Sequence, residues 1–127
     1  PFVANFIGMT NFIKGQILDG DSIKVDNQQI AINSHSYKKG TKVIIAARPE
    51  YVQLAEKNSS NSFVGKVVDV EFLGSFLRIH LETSIMPDQP LIADKPMIDN
   101  FSKSVAIGDN LSFTLSPNHL NVYECDN

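Results

Sequence analysis

Short stretches in which apolar and polar residues alternate, each followed by turn residues, recur along most of this sequence. Residues 76–82 (Phe-Leu-Arg-Ile-His-Leu-Glu) are an example, because every second side chain is apolar, as in a half-buried β-strand. Asp-Gly-Asp at residues 19–21 and Ile-Gly-Asp-Asn at residues 107–110 are typical turns between such strands. Many short strands joined by such turns predict an all-β fold, built as a small barrel or sandwich.

The two halves of the chain resemble each other weakly. Each begins with a strand that contains a glycine, Gly15 or Gly65, and each has a glycine turn, at Gly40 or Gly108, before its last strong strand. The number of strands fits two OB-fold-like small β-barrel lobes of five strands each.

A polar stretch at residues 57–62 contains no apolar side chain and is the best candidate for a linker or a long hairpin tip. We therefore place the first lobe at residues 10–57 and the second at residues 58–127. Lobes of this size bury little surface alone, so we expect them to share a core or to exchange strands.

The first residues follow a helical pattern instead. Four of them have the spacing of an apolar helical face: Phe2, Val3, Phe6 and Ile7. Gly8 is the residue type that commonly ends a helix. We expect residues 1–9 to be the end of a linker helix from a larger domain. Part of its apolar stripe would lose its cover in isolation, so we also expect a homodimer.

Residues 83–104 are the least readable part of the sequence. Three prolines interrupt it, Pro87, Pro90 and Pro96. Only a short strand at residues 91–93 and a short helix at residues 98–104 are predicted there.

The composition is that of a soluble globular protein, with 43% hydrophobic and 20% charged residues. The net charge of −3 argues against a general nucleic-acid surface, which needs clustered lysine and arginine. A single cysteine, Cys125, excludes a disulfide within the chain. No apolar run approaches the roughly 20 residues of a membrane-spanning helix.

No motif for catalysis or cofactor binding is present. The sequence has no Gly-x-x-x-x-Gly-Lys-Ser/Thr phosphate loop, no nucleophile elbow and no histidine pair at metal-ligand spacing. His35, His80 and His119 are isolated, and surface or strand-face roles are predicted for them. Asp19 and Asp21 flank a glycine, but the glutamate that closes a calcium-binding loop is missing. We therefore expect neither catalysis nor a cofactor or metal site in this chain.

Several short sequence motifs occur in this chain in the order in which one known family has them. They are Phe-Val-Ala-Asn-Phe-Ile-Gly at 2–8, Val-Ile-Ile-Ala-Ala-Arg-Pro-Glu at 43–50, Val-Gly-Lys-Val-Val at 64–68, Phe-Leu-Gly at 72–74, Val-Ala-Ile-Gly-Asp-Asn-Leu at 105–111 and Pro-Asn-His-Leu at 117–120. In this order they resemble the C-terminal transport-associated OB (TOBE) domain of the ATP-binding subunits of bacterial ABC importers. The short passage after Gly8 is most similar to the iron, polyamine and phosphonate importers.

This resemblance implies a non-catalytic regulatory and dimerisation domain. ATP and magnesium are implied for a separate ATPase domain of the parent subunit, and no cofactor is implied for this chain. The implied partners are that ATPase domain, a second copy of the subunit and the membrane-spanning permease subunits, with no nucleic acid. The implied location is the cytoplasm, peripheral to the inner face of the plasma membrane.

The residues that match the family phrases have structural explanations. Pro49 fixes φ and lacks an N–H, so it ends a strand, and Arg48 and Glu50 flank it on one side, where they can form a salt bridge. A regulatory ligand or partner site is the alternative for that pair. Gly65 and Gly74 bracket a strand that a small barrel must bend. The remaining family positions are turn residues: Gly108 and Asp109.

Two other binding functions compete with this interpretation. OB-type barrels bind oligonucleotides and small oxyanions, and related halves occur in molybdate-handling proteins. A single-strand binder would use four residues here: Phe72, Phe76, Arg78 and His80. However, the acidic balance argues against nucleic acid, and Phe72 is expected to fill the core. A free-standing module that binds small oxyanions stays the main alternative, while no constellation of residues supports an enzyme.

Overall fold

Ten β-strands and two short 3-10 helices are present in the computed structural model, which describes residues 9–33, 37–54, 61–96 and 105–125. The strands are β1 (Asn11–Asp19), β2 (Ser22–Val25), β3 (Gln28–Ala31), β4 (Lys42–Ala47), β5 (Val52–Leu54), β6 (Ser62–Phe72), β7 (Phe76–Thr83), β8 (Met86–Pro96), β9 (Asn110–Leu115) and β10 (Leu120–Glu124). The 3-10 helices are Pro49–Tyr51 and Pro117–His119. The predicted all-β class is confirmed. The helices predicted at residues 1–9 and 98–104 lie outside the described residues, apart from Met9, which is not helical. Within the described ranges, no helix has the length and apolar character needed to span a membrane.

The strands form two five-stranded sheets in which every pairing is antiparallel. The first sheet has the order β10–β4–β1–β2–β3, and the second has the order β5–β9–β6–β7–β8. Strand β5 follows β4 along the chain but pairs with β9, whereas β10 follows β9 but pairs with β4. Each sheet therefore receives one edge strand from the other half of the chain. The lobe boundaries at residues 57 and 58 stay a prediction.

The exchanged strands have the same register in both sheets. Val52, the first residue of β5, lies opposite Leu115, the last residue of β9. Leu120, the first residue of β10, lies in the same way opposite Ala47, the last residue of β4. In both cases a 3-10 helix that begins with proline carries the chain from one sheet to the other.

Equivalent turns support equivalent strands. Gly40 and Gly108 have positive φ values of 89° and 98°, which glycine adopts without steric cost. Each donates its N–H at 2.8 Å to a strand carbonyl, that of Ile17 in β1 or that of Val67 in β6. Both strands have a β-bulge directly after that residue. The weak repeat in the sequence therefore corresponds to a duplicated structural unit.

A single hydrophobic core lies between the sheets. Ile13 and Ile45 from the first sheet belong to the same buried cluster as Leu81 and Phe113 from the second. All four side chains have no measurable exposure to solvent, at 0%. The two halves are therefore packed as one unit, and neither can keep its apolar face buried without the other.

Two asparagine side chains join the sheets at equivalent points. Asn11, buried at the start of β1, donates to the Ile92 carbonyl at 2.9 Å and accepts from the Ile92 N–H at 2.8 Å. Asn61, directly before β6, makes the same two bonds with the Ala31 backbone at 3.0 and 2.8 Å, and also donates to the Leu115 carbonyl. Because a carboxamide carries the same donor and acceptor as a peptide unit, each side chain acts as a bridge between two strands that are not neighbours in one sheet.

The proline-containing stretch forms a long strand, so the expectation of a strand limited to residues 91–93 is wrong in length. β8 lies at the edge of the second sheet and pairs only with β7. An edge strand can place proline where the missing N–H faces solvent. Pro87 and Pro90 are exposed, as this explanation requires.

Candidate functional site

The Arg-Pro-Glu phrase forms the corner at which the chain leaves the first sheet. Pro49 is buried and begins the 3-10 helix that leads from β4 to β5. Arg48 Nε lies 3.1 Å from Glu50 Oε2, and the two side chains are 48% and 50% exposed. An ion pair with this exposure contributes at most about 1 kcal/mol to the free energy of unfolding. The geometry fits a salt bridge at the rim, and the structural role of the pair stays a prediction.

The other family positions lie in turns and in one strand. Gly74 has a φ of 83° between β6 and β7, and Gly108 lies in the turn before β9. In that same turn Asp109 Oδ2 accepts a hydrogen bond from the Ala106 N–H at 2.9 Å. Gly65 lies within β6, where a Cβ would come within 3.0 Å of the Leu81 Cβ. These residues are spread over separate turns and a strand interior, so they do not line a common site.

The two 3-10 helices meet at the centre of the duplication. Tyr51 and His119 are their last residues, and the two rings stack with centroids 4.0 Å apart and an interplanar angle of 7°. Residues in corresponding positions of the two halves thus contact each other directly. The approximate twofold axis that relates the two halves therefore passes close to this contact.

The first half of the duplication has a tight hairpin after its bulge. Asp19 Oδ1 accepts hydrogen bonds from the Asp21 N–H at 3.0 Å and from the Ser22 hydroxyl at 2.8 Å. The Asp21 N–H and, to a lesser degree, the Ser22 hydroxyl hold the pKa of the Asp19 carboxyl below its ordinary value. In this half the residues next to the bulge are used to make the turn.

The second half has a longer hairpin at the same place. The pair that corresponds to Asp19 and Ser22 is Asp69 and His80, and the strands continue beyond it to a turn after Phe72. We call residues 69–80, together with the adjoining residues 92–96 of β8, the hairpin extension. Among the described residues, the strands of the second half, β6, β7 and β8, are longer than β1, β2 and β3 of the first half, and the extension is where the two halves differ in this way.

One face of the hairpin extension carries its charged side chains apart from Lys95, which lies opposite Leu77. Arg78 forms two hydrogen bonds with Asp94, Nε to Oδ1 at 2.9 Å and Nη2 to Oδ2 at 3.1 Å. Its guanidinium carbon lies 5.4 Å from the centre of the Phe76 ring. The Asp94 carboxylate raises the pKa of Arg78, and Glu71 adds a smaller electrostatic effect in the same direction. The positive charge of Arg78 is therefore compensated by neighbouring carboxylates. This face does not offer the basic groove that a protein binding single-stranded nucleic acid needs.

Asp69, Glu71 and His80 lie together on that same face. Glu71 Oε1 is 2.5 Å from His80 Nε2, and one ligand atom from each of the three residues lies within 4.8 Å of the others. Asp69 is directly opposite His80 in the register, and its carboxylate accepts the Val70 N–H at 2.9 Å. One imidazole and two carboxylates are a donor set that suits first-row transition metals.

Sequence spacing did not identify this cluster. His80 is isolated along the chain, and its neighbours come from the adjacent strand. The available signal was the alternation of Asp69 with Glu71 and of Arg78 with His80, which places each pair on one face of its strand. Which pairs come together depends on the hairpin register and on the bulge, and neither is visible in a single sequence.

Phe72 is 70% exposed, so the expectation that it fills the core is wrong. It lies on the same side of β6 as Val70, which packs against the core. Two residues further along, the strand has passed the edge of that core. Phe72 and Leu73, which is 38% exposed, therefore form an apolar end of the hairpin extension.

The outer face of the first sheet has a different character. Lys14, Lys24 and Lys42 line a shallow cleft of about 350 Å³ together with Gln16 and Asp26. The three lysines form a basic surface in a chain whose net charge is −3. Gln16 is held by a hydrogen bond from its Nε2 to the Gly40 carbonyl at 3.0 Å.

A sequence profile of the TOBE domain matches residues 45–122. The chain belongs to the TOBE domain family. It is 26% identical over 121 residues to the spermidine/putrescine import ATP-binding protein of Clostridium acetobutylicum, an alignment that covers 95% of this chain and 32% of that protein. It is 30% identical over 105 residues to an Fe(3+) ions import ATP-binding protein of Rhizobium meliloti, covering 73% of this chain and 27% of that protein. This TOBE chain thus spans about a third or less of the length of these relatives.

The fold of this TOBE chain is shared with a solved structure. The crystal structure of the cytoplasmic molybdate-binding protein ModG, with molybdate bound, superposes with a TM-score of 0.69. The superposition covers 88% of the TOBE chain and 94% of ModG, with 11% sequence identity. The likeness concerns the fold alone, and it supports the OB-like β-barrel class predicted from the sequence.

Proposed function

We propose that this TOBE chain is a non-catalytic regulatory and dimerisation domain of the ATP-binding subunit of a bacterial ABC solute importer. The observation that carries the proposal is the alignment with an import ATP-binding protein, which includes 95% of this chain but only 32% of the relative. Such an alignment is expected for a domain attached to a larger ATPase. The importer would take up a solute of the polyamine or iron class, because relatives with those names align over most of the chain.

The chemistry of ATP belongs, in this proposal, to another domain of the subunit. The sequence has no phosphate loop, whose backbone amides and lysine hold nucleotide phosphates. ATP and magnesium would therefore act in the ATPase domain, with the permease subunits as further partners at the cytoplasmic face of the membrane. This chain would contribute protein–protein contacts.

Exposed aliphatic side chains on β6 and in the turn bonded to it support dimerisation. Val64 is 59% exposed and Val68 is 36% exposed, both on β6. Ile107 is 67% exposed and lies in the turn whose Gly108 N–H bonds to the Val67 carbonyl. Burial of such a group against a second copy would remove apolar area from water at about 25 cal/mol per Å².

Sedimentation equilibrium of the chain tests the dimerisation. We expect a dimer at high micromolar concentration and a shift towards monomer in the double variant Val64→Ser, Ile107→Ser. Phe72→Ser is the matched control, because Phe72 is equally exposed but lies at the end of the hairpin extension. A wild-type chain that sediments as a monomer, or a control variant that dissociates as readily as the double variant, contradicts this assignment.

Calorimetric titration with magnesium-ATP tests the non-catalytic role. We expect no saturable heat, because the phosphate loop that holds nucleotide phosphates is missing from the sequence. Saturable micromolar binding of ATP overturns the proposal.

A second candidate function is the binding of a small oxyanion. The specific observation in its favour is the basic cleft formed by Lys14, Lys24 and Lys42 on the outer face of the first sheet. Titration with molybdate and with sulfate distinguishes the candidates. Saturable binding that is lost in the variant Lys24→Gln, Lys42→Gln favours an oxyanion-binding module, whereas the absence of binding contradicts this second candidate.

A further inference from the structure

The hairpin extension brings together side chains that are not grouped in this way in the first half of the chain. In the first half, the aspartate next to the bulge, Asp19, is occupied by turn hydrogen bonds to Asp21 and Ser22. In the second half the corresponding Asp69 lies on a continuous ladder, opposite an imidazole instead of a serine. The longer strands also bring in Glu71. The position that forms a turn in the first half is thus occupied in the second half by three side chains that can act as metal ligands.

We propose that Asp69, Glu71 and His80 bind a divalent first-row transition metal ion, for which Zn²⁺ is the probe. The three groups provide one nitrogen and two carboxylate ligands, and their ligand atoms already lie within 4.8 Å of one another. Ligands at about 2.0–2.2 Å from a tetrahedral ion are roughly 3.3–3.6 Å apart. Small side-chain rotations therefore suffice, with Glu71 Oε1 and His80 Nε2 moving apart from their present 2.5 Å.

The charge of the surrounding face favours a cation. Asp69, Glu71 and Asp94 are carboxylates, while Arg78 is the only guanidinium among the side chains described on this face and is paired with Asp94. The three carboxylates of this face therefore exceed its one guanidinium by two negative charges, and Arg78, which lies opposite Glu71 in the register, is shared between Asp94 and Glu71. The next cross-strand pair, Lys66 opposite Glu82, adds no net charge. A divalent ion would compensate this excess without help from other groups.

The ligand set selects among cations. Mg²⁺ and Ca²⁺ prefer six or more oxygen ligands and gain little from an imidazole. A nitrogen with two carboxylates suits zinc and its neighbours in the first row, with water in the remaining positions. The Val70 N–H bond to Asp69 orients one of the ligands, as outer hydrogen bonds do in known metal sites. The ion would join β6 to β7 beyond the core and hold the hairpin extension in one conformation.

Titration of the 127-residue chain with Zn²⁺ tests the proposal, with Cys125→Ser as the background so that the thiol cannot bind. We expect saturable binding of one ion per chain, a ligand-field absorption spectrum with Co²⁺, and no displacement by millimolar Mg²⁺. His80→Gln is expected to weaken binding at least tenfold, whereas His119→Gln, which changes a histidine that is not part of the cluster, is expected to leave it unchanged.

Asp69→Asn is a second variant that removes a ligand without changing the size of the side chain, and urea unfolding of each variant shows that it is folded. A tenfold or greater loss in His80→Gln or, should that variant unfold, in Asp69→Asn, with binding retained in His119→Gln, supports the site. The absence of saturable binding in the wild type overturns the proposal, and so does equal affinity in folded His80→Gln and wild type.

Discussion

The amide of Asn11 connects the two sheets from a buried position, and its removal is expected to be costly. Asn11→Ala deletes the donor and the acceptor that serve the Ile92 backbone at 2.9 and 2.8 Å. Asn11 is 1% exposed and Ile92 is 8% exposed, so water does not reach these groups in the intact structure. A buried polar group without a partner costs about 1–3 kcal/mol. Two such groups, partly relieved by water that enters the space left by the side chain, give an expected loss of about 2–4 kcal/mol.

Urea unfolding followed by far-ultraviolet circular dichroism measures this loss, since the chain has no tryptophan to report by fluorescence. Asn61→Gly is the matched variant, because Asn61 has a φ of 56° that glycine tolerates. Its two bonds to Ala31 are exposed, so water replaces them, but its bond to the Leu115 carbonyl at 3.0 Å is partly buried. We therefore expect a loss of stability of about 0.5–1.5 kcal/mol, which is smaller than that of Asn11→Ala. A loss below about 0.5 kcal/mol for Asn11→Ala, at an unchanged denaturant slope, refutes the reasoning.

Three further changes have defined outcomes. Gly15→Ala places a Cβ 2.6 Å from Ile23 Cγ2, and should lower stability by about 1–3 kcal/mol in a thermal melt, whereas Gly20→Ala, with nothing within 4 Å, should be close to neutral. Folding lowers the pKa of the Asp19 carboxyl. The ionised carboxylate therefore stabilises the fold fully above the pKa of about 3.9 that it has in the unfolded chain, and this stabilisation is lost as the pH falls through the folded pKa. Asp19→Asn should therefore melt below the wild type near pH 7, and a gap that does not close towards pH 2 argues against this hydrogen-bonding account. Arg48→Ala should shift the urea midpoint by an amount equivalent to less than about 1 kcal/mol, and a loss above about 2 kcal/mol would mean that the corner is more than an exposed ion pair.

Local features of the fold could be predicted from the sequence. The period-two patterns located most strands, because alternation reports directly which side chains face the core. The glycine turns at Gly40 and Gly108 were identifiable because the backbone there requires positive φ. β8 was underestimated because the tolerance of a strand for proline depends on its position at the edge of a sheet, which the sequence does not reveal.

Pairing between distant strands could not be predicted in detail. The exchange of β5 and β10 depends on which edge each strand meets after its 3-10 helix, and this is a property of the assembled core. The bridges from Asn11 and Asn61 were also missed, although both asparagines precede a strand glycine by four residues, at Gly15 and Gly65. That repeated spacing is the signal that would have located them.

The candidate site was the least predictable part. Family phrases drew attention to Arg48, Pro49 and Glu50, which the structure places at an exposed corner. The cluster around His80 arises because a longer hairpin in one half sets Asp69 opposite the imidazole. Such an asymmetry becomes visible only when the two halves are compared in three dimensions, since their sequences agree too weakly to be aligned residue by residue.

The proposed attachment of this chain to an ATPase domain is tested most directly by the reading frame upstream of the codon for Pro1. Relatives extend well beyond the aligned segment, which covers 32% of the import ATP-binding protein of Clostridium acetobutylicum. We expect the upstream frame to encode a Gly-x-x-x-x-Gly-Lys-Ser/Thr phosphate loop in the same polypeptide. A frame that starts at or next to Pro1, or that encodes a different domain without a phosphate loop, contradicts the assignment to an importer ATP-binding subunit.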